Sequence, residues 1–155
     1  ADGYYCDREF YKTDFIRIRE DDMAEYQTKK TKHAVYNTLR CLGGALFGER
    51  RFKQPKFLEN AAQKDKYEMW LAMIDAGKIN EAENELIAEL EHASEGDVDC
   101  RGQKMELLEV ALQVYQYIND KEDEFLEMHC YSREEVEEGI RNALQMMGMH
   151  NDLLL

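Results

Sequence analysis

Two groups of side chains have types and spacings that could bind a metal. Glu89 and His92 form a Glu-x-x-His, which on a helix puts a carboxylate and an imidazole on one face. Di-iron carboxylate bundles use two such motifs, with two further glutamates from facing helices. Only one copy is present, so a solvated helix face is the expectation. Glu127, His129 and Cys130 could offer hard and soft ligands, but their spacing matches no standard zinc site, and a packed helix junction is expected. No Gly-x-Ser-x-Gly, phosphate loop or dinucleotide fingerprint occurs. With no nucleophile, base and orienting group to assemble, the sequence predicts a protein that is not an enzyme, and assigns no catalytic residue, cofactor or metal.

The remaining candidate chemistry is electrostatic. Lys29, Lys30, Lys32, Arg40, Arg50, Arg51 and Lys53, with Lys56 behind them, are the basic clusters of the chain. Tyr36, Phe47, Phe52 and Phe57 lie among them, a combination that suits an anionic polymer or membrane surface. The simpler expectation is that these cations face acidic residues of the same chain or of a protein partner. Residues 1–56 hold 12 Lys/Arg against 9 Asp/Glu, a net of +3, whereas residues 57–155 hold 8 against 24, a net of −16. A total of −13 argues against nucleic acid as the main partner, because affinity for phosphate backbones needs clustered cations.

The four cysteines, Cys6, Cys41, Cys100 and Cys130, include no Cys-x-x-Cys pair. Scattered cysteines in a chain able to build its own core are expected to be reduced and buried, which points to the cytoplasm. The stretch ADGYYCDREF has no positively charged region followed by an apolar run, so no uncleaved signal peptide is expected there. The uncharged, largely apolar stretch Cys41 to Gly48 is far too short to span a bilayer. Met146, Met147 and Met149 could form an adaptable binding surface, although core packing is the commoner use.

These residues must be positioned by helices. One proline and nine glycines in 155 residues leave few helix stops and too little turn chemistry for strands, so the fold class is all-α. A chain of this length buries roughly 68–70% of its unfolded surface in one core, and a single domain over 1–155 is expected. Its parts are an N-terminal helical arm (1–48), a linker (49–55) and an acidic helical bundle (56–155).

The arm reads as two helical pieces, with Phe15, Ile18, Met23 and Tyr26 on the first. Val35, Leu39, Leu42 and Leu46 form a stripe on the second, with Gly43 inside it, a candidate for helix packing or a homodimer contact. Gly43 and Gly44 predict a tight helix crossing or a bend there. A helix from about Pro55 or Phe57 to Ala76 presents Tyr67, Trp70, Leu71 and Ile74, and Gly77 closes it. Ile79, Ala82, Leu86 and Leu90 make Lys66–His92 a helical hairpin. An acidic loop (93–102) precedes a helix over Gln103–Asn119, with Leu108, Ala111, Leu112, Tyr115 and Ile118 on one side. A short helix within Lys121–His129 follows. Ser132 and Glu135 then form a capping box for a last helix carrying Val136, Ile140, Ala143, Leu144 and Met147, and Gly148 stops it.

DAGKINEAENELIAELE (75–91) resembles the turn and second helix of a tetratricopeptide repeat, although Glu89 replaces a small residue and no 34-residue repeat recurs. GKINEAENEL, ALQVYQYIND, FLEMHCYSREEVEEGIRNAL and the apolar LGGALFG together resemble a family of short, uncharacterised helical proteins of anaerobic Firmicutes. That resemblance implies an intracellular helical fold and transfers no catalytic residue. The function expected is non-catalytic protein interaction or scaffolding, with itself or another protein as partner. The alternative is binding of an anionic polymer or membrane surface through residues 29–56.

Overall fold

The computed structural model of the chain describes residues 29–48, 61–95 and 101–149, which form six α-helices with no strand among them. The first part of the arm, the linker cations Arg50, Arg51, Lys53 and Lys56, and Cys6, Cys100 and His150 lie outside the described residues. Helix α1 covers residues 29–47, α2 Ala61–Asp75, α3 Ile79–Ser94, α4 Arg101–Asn119, α5 Asp123–Met128 and α6 Arg133–Met146. The acidic connection is therefore shorter than the sequence predicts, since α3 continues through Ser94 and α4 starts at Arg101.

Three helix ends share one closing geometry. Gly77, at φ +83°, donates its amide to Ile74 at 2.9 Å, and Lys78 donates to Met73 at 2.9 Å. This paired closure satisfies two orphan carbonyls and reverses the chain into α3. Gly148, at φ +74°, repeats the pattern with Gln145 and, through Met149, with Leu144. After α5 the same role falls to Cys130, at φ +53°, with Cys130 N–H on Glu127 and Tyr131 N–H on Leu126. A left-handed non-glycine residue costs roughly 1–2 kcal/mol, and here the burial of Leu126 and Tyr131 on either side of the turn offsets it.

Helix α4 is the axis of the core. Leu107, Leu108, Val110, Ala111, Leu112, Val114, Tyr115 and Ile118 are all buried, as is Glu109. One apolar side was expected; α4 is instead enclosed on several sides because α2, α3 and α6 all pack against it. Trp70 and Ile74 arrive from α2, Ile79, Ala82, Leu86 and Leu90 from α3, and Val136, Ile140, Ala143 and Leu144 from α6. Val35, Leu39 and Leu42 of α1 join the same core, Gly43 is buried with them, and Leu46 packs half-buried at its margin. The stripe of α1 is thus covered by its own chain.

Of the two glycines at which the sequence places a close helix contact, Gly43 is buried and Gly44 has open space beside it. A Cβ at Gly44 would meet nothing within 4 Å, whereas one at Gly139 would lie 2.4–2.5 Å from the ring and hydroxyl of Tyr115. It is α6 that comes near α4, and Gly139 makes room for the aromatic ring between them. Met146, Met147 and Met149 pack against the core, while Met128 is the exposed methionine of the α5 end. Among the described residues, no helix is long and apolar enough to cross a membrane.

Candidate functional site

The outward face of α1 is cationic because its inward face is committed to the core. With Val35, Leu39 and Leu42 turned inward, the 3.6-residue period leaves Lys29, Lys30, Arg40 and Tyr36 exposed and Lys32 half-buried. The rings of His33 and Tyr36, three residues apart, stack with centroids 6.4 Å apart and planes 20° from parallel. Lys29, Lys32, His33 and Tyr36 line a recess of about 200 Å³ closed by Asn119 and Asp120 at the end of α4. Burial pushes the Asp120 carboxyl up, and Lys32 opposes the shift. The carboxylate and the negative end of the α4 dipole hold Lys32 there and make the recess itself a poor anion site. Lys29, Lys30 and Arg40 are exposed on the outer side of α1.

The metal candidates do not converge. Glu89 is half-buried and pairs with Lys66 at 2.9 Å, while His92 is exposed. Glu127 and Cys130 are exposed, whereas His129 lies over Phe125, with ring centroids 4.6 Å apart, and covers Gly77. Among the described residues, no group of three or more His, Cys, Asp or Glu could hold a metal ion. Cys41 and Cys130 are free and exposed, not buried as expected, because each falls on the outer side of its helix or turn.

The polar groups that matter most to the architecture are ones the sequence reading left aside. Arg133, the first residue of α6, is buried, and its guanidinium donates to the Asp123 carboxylate, to Lys121 O at 2.9 Å and to Asn119 O at 3.4 Å. It therefore closes the carbonyls left without helical partners at the end of α4 and ties them to the starts of α5 and α6. Asn119, fully buried, donates its side-chain amide to Lys32 O at 3.1 Å and so anchors α1 to the same point. A second fastener is Asp75, which accepts from Lys121 at 2.5 Å and Tyr117 at 2.7 Å; the Lys121 hydrogen bond, then that of Tyr117, hold its carboxyl below the usual range. The Lys121 ammonium also lies over the rings of Tyr117 and Phe125.

The third fastener is Glu83 on α3. Its two carboxylate oxygens accept from Tyr115 at 3.0 Å and Tyr131 at 3.1 Å. Burial pushes the Glu83 carboxyl up, the two hydroxyls pull it down, and Glu135 and Glu138 add to the rise. Burial, with Glu83 alongside, drives both tyrosine hydroxyls far above the usual phenol range, so both stay protonated donors. The one sequence signal for Glu83 was its place beside Ala82 on the flank of the α3 apolar stripe; for Arg133 it was a position just inside a capping box that the structure shows complete. Neither signal names a partner.

The described fold and its fastened polar groups define an all-α helical bundle. The chain belongs to the Family of unknown function (DUF6483), whose profile matches residues 10–148. No curated protein and no solved structure matches the chain.

Proposed function

We propose that this protein is a non-catalytic helical interaction module, acting as one domain, that docks an acidic surface of a protein partner on the outer face of α1. The observation behind this reading is the exposure of Lys29, Lys30 and Arg40 on a helix whose opposite face is core. The backbone of such a face is already ordered, so binding has only its long side chains to immobilise. The polar groups with the greatest chemical capacity, Glu83, Arg133 and Asp75, are engaged in joining helices. The tetratricopeptide-like character of the α2–α3 hairpin belongs to the same proposal. A bacterial cytoplasm is the location that suits exposed free thiols at Cys41 and Cys130, since such thiols persist in reducing compartments.

The test is capture from an extract of the native host with the tagged full-length chain and with a Lys29→Glu, Lys30→Glu, Arg40→Glu variant. The variant should keep its helical circular dichroism, because none of the three residues is buried, and should lose an acidic protein that the wild type retains. Identical captured sets overturn the reading. The His33–Tyr36 stack beside the lysines favours a polyanion as the second reading. Duplex DNA, RNA or anionic vesicles bound at about 0.15 M salt, where the screening length is roughly 8 Å, and released steeply as salt rises, would make that the better one.

A further inference from the structure

We propose that Glu83, with the two tyrosines that hold it, is a proton-operated latch between the helical hairpin and the C-terminal helix. Uptake of a proton there tightens the seating of α3 on α4 and α6, and its loss loosens that seam.

The geometry puts one carboxyl at the meeting point of three elements. Glu83 comes from α3, Tyr115 from α4, and Tyr131 from the turn between α5 and α6; both tyrosines are buried. Gly139 lets α6 close directly onto the Tyr115 ring, while Glu83 itself is half-buried at the edge of the seam. The charged groups acting on Glu83 across this seam are Glu135 and Glu138 of α6, both anionic. Glu135 is fixed by the capping box, where it accepts the Ser132 amide at 2.6 Å. Glu83 is thus a carboxyl whose hydrogen-bond donors are two neutral hydroxyls and whose charged neighbours repel it. Its neutral form still makes two hydrogen bonds, since a carboxylic acid accepts from one tyrosine and can donate to the oxygen of the other, whose own O–H then turns away from Glu83.

The direction of the effect follows. Folding raises the proton affinity of Glu83 through burial, so just above the ordinary glutamate range the folded chain holds a proton that the unfolded chain has released. The stabilisation is complete below the unfolded pKa, about 4.3 for glutamate, and is lost as pH rises through the folded value. Carboxylates held by cations behave in the opposite sense, so the latch has a distinct signature.

The test uses the full chain, with thermal unfolding and hydrogen exchange of the α3 amides followed between about pH 4 and pH 8. In the wild type, the thermal midpoint and α3 protection measured relative to Glu83→Gln should fall as pH rises. Glu83→Gln keeps an acceptor and a donor for the tyrosines without a charge, and the difference cancels the general repulsion of a chain at −13. Glu138→Gln should shift the fall to lower pH by removing one repulsive neighbour. A wild-type-minus-Glu83→Gln difference that is flat or rises with pH overturns the proposal. If Glu83→Gln does not fold, carbon-detected NMR titration of the wild-type Glu83 carboxyl decides instead: a midpoint above the ordinary glutamate value supports the latch, and one at or below it refutes it.

Discussion

Replacing Gly139 by alanine sets two opposing effects against each other. Alanine is the better helix former, and in an open helix position the exchange stabilises by roughly 0.8–1.0 kcal/mol. At Gly139 the new Cβ would sit 2.4 Å from Tyr115 Cε1 and 2.5 Å from its Cζ and hydroxyl. Ordinary contact begins near 3.4 Å, so α6 or the ring must move by about 1 Å. The ring is fully buried and its hydroxyl is bound to Glu83 at 3.0 Å, so it cannot rotate away without breaking that hydrogen bond. Overpacking of this kind costs about 1–3 kcal/mol, and a lost hydrogen bond to a charged group about 1.5–3 kcal/mol more. After the helix-propensity gain, a net loss of about 1.5–5 kcal/mol remains, or roughly 3–20 °C in thermal midpoint for a chain of this size. Gly44→Ala is the internal control, since its Cβ meets nothing within 4 Å and the propensity term acts alone. Thermal unfolding by circular dichroism should place Gly44→Ala above the wild type and Gly139→Ala well below it. A Gly139→Ala protein as stable as the wild type would refute the assignment of Gly139 as the α4–α6 contact.

Arg133→Met should cost about 2–4 kcal/mol in urea unfolding, because it leaves the carbonyls of Asn119 and Lys121 without their donor in a buried site; the 43% exposure of Asp123 keeps the loss below that of a fully buried ion pair. A loss under about 1 kcal/mol would show that Arg133 does not hold the α4 end. Gly77→Ala should be worse than a left-handed alanine alone, at about 3 kcal/mol, since the Cβ also overlaps the His129 ring. Adding His129→Ala should recover the steric part and leave the conformational part, and a double-mutant cycle with no coupling would refute the contact.

Much of the fold was legible because helix formation is local. The stripes at Val35–Leu39–Leu42 and at Ile79–Ala82–Leu86–Leu90 are periodicities, and burying them needs no knowledge of which helix lies opposite. Gly77 and Gly148 announce helix ends because a left-handed residue at those points favours glycine, and Ser132 with Glu135 announces a helix start because the box closes within four residues. Cys130 takes the same left-handed position with no glycine to mark it, and only the packing of Tyr131 and Leu126 makes it tolerable.

The rest was decided by contacts between residues far apart in sequence. Which glycine admits a neighbouring helix depends on what stands opposite, so Gly44, with nothing near it, and Gly139, closed on by the Tyr115 ring, look alike in the sequence. Glu83 meets Tyr115 and Tyr131 across 32 and 48 residues, and Asn119 reaches the Lys32 carbonyl across 87. No periodicity encodes such distances. The sequence alone determined that the chain is helical, where most of its helices begin and end, and that its charge divides into a basic arm and an acidic body. Only the tertiary structure decided that α4 is enclosed on several sides, that the α1 stripe is covered by its own chain, and that a carboxyl, two tyrosines and one buried arginine fasten the helices. Polar partners are chosen by the burial that tertiary packing creates, since a hydrogen bond or a charge is worth little in water and much once water is removed.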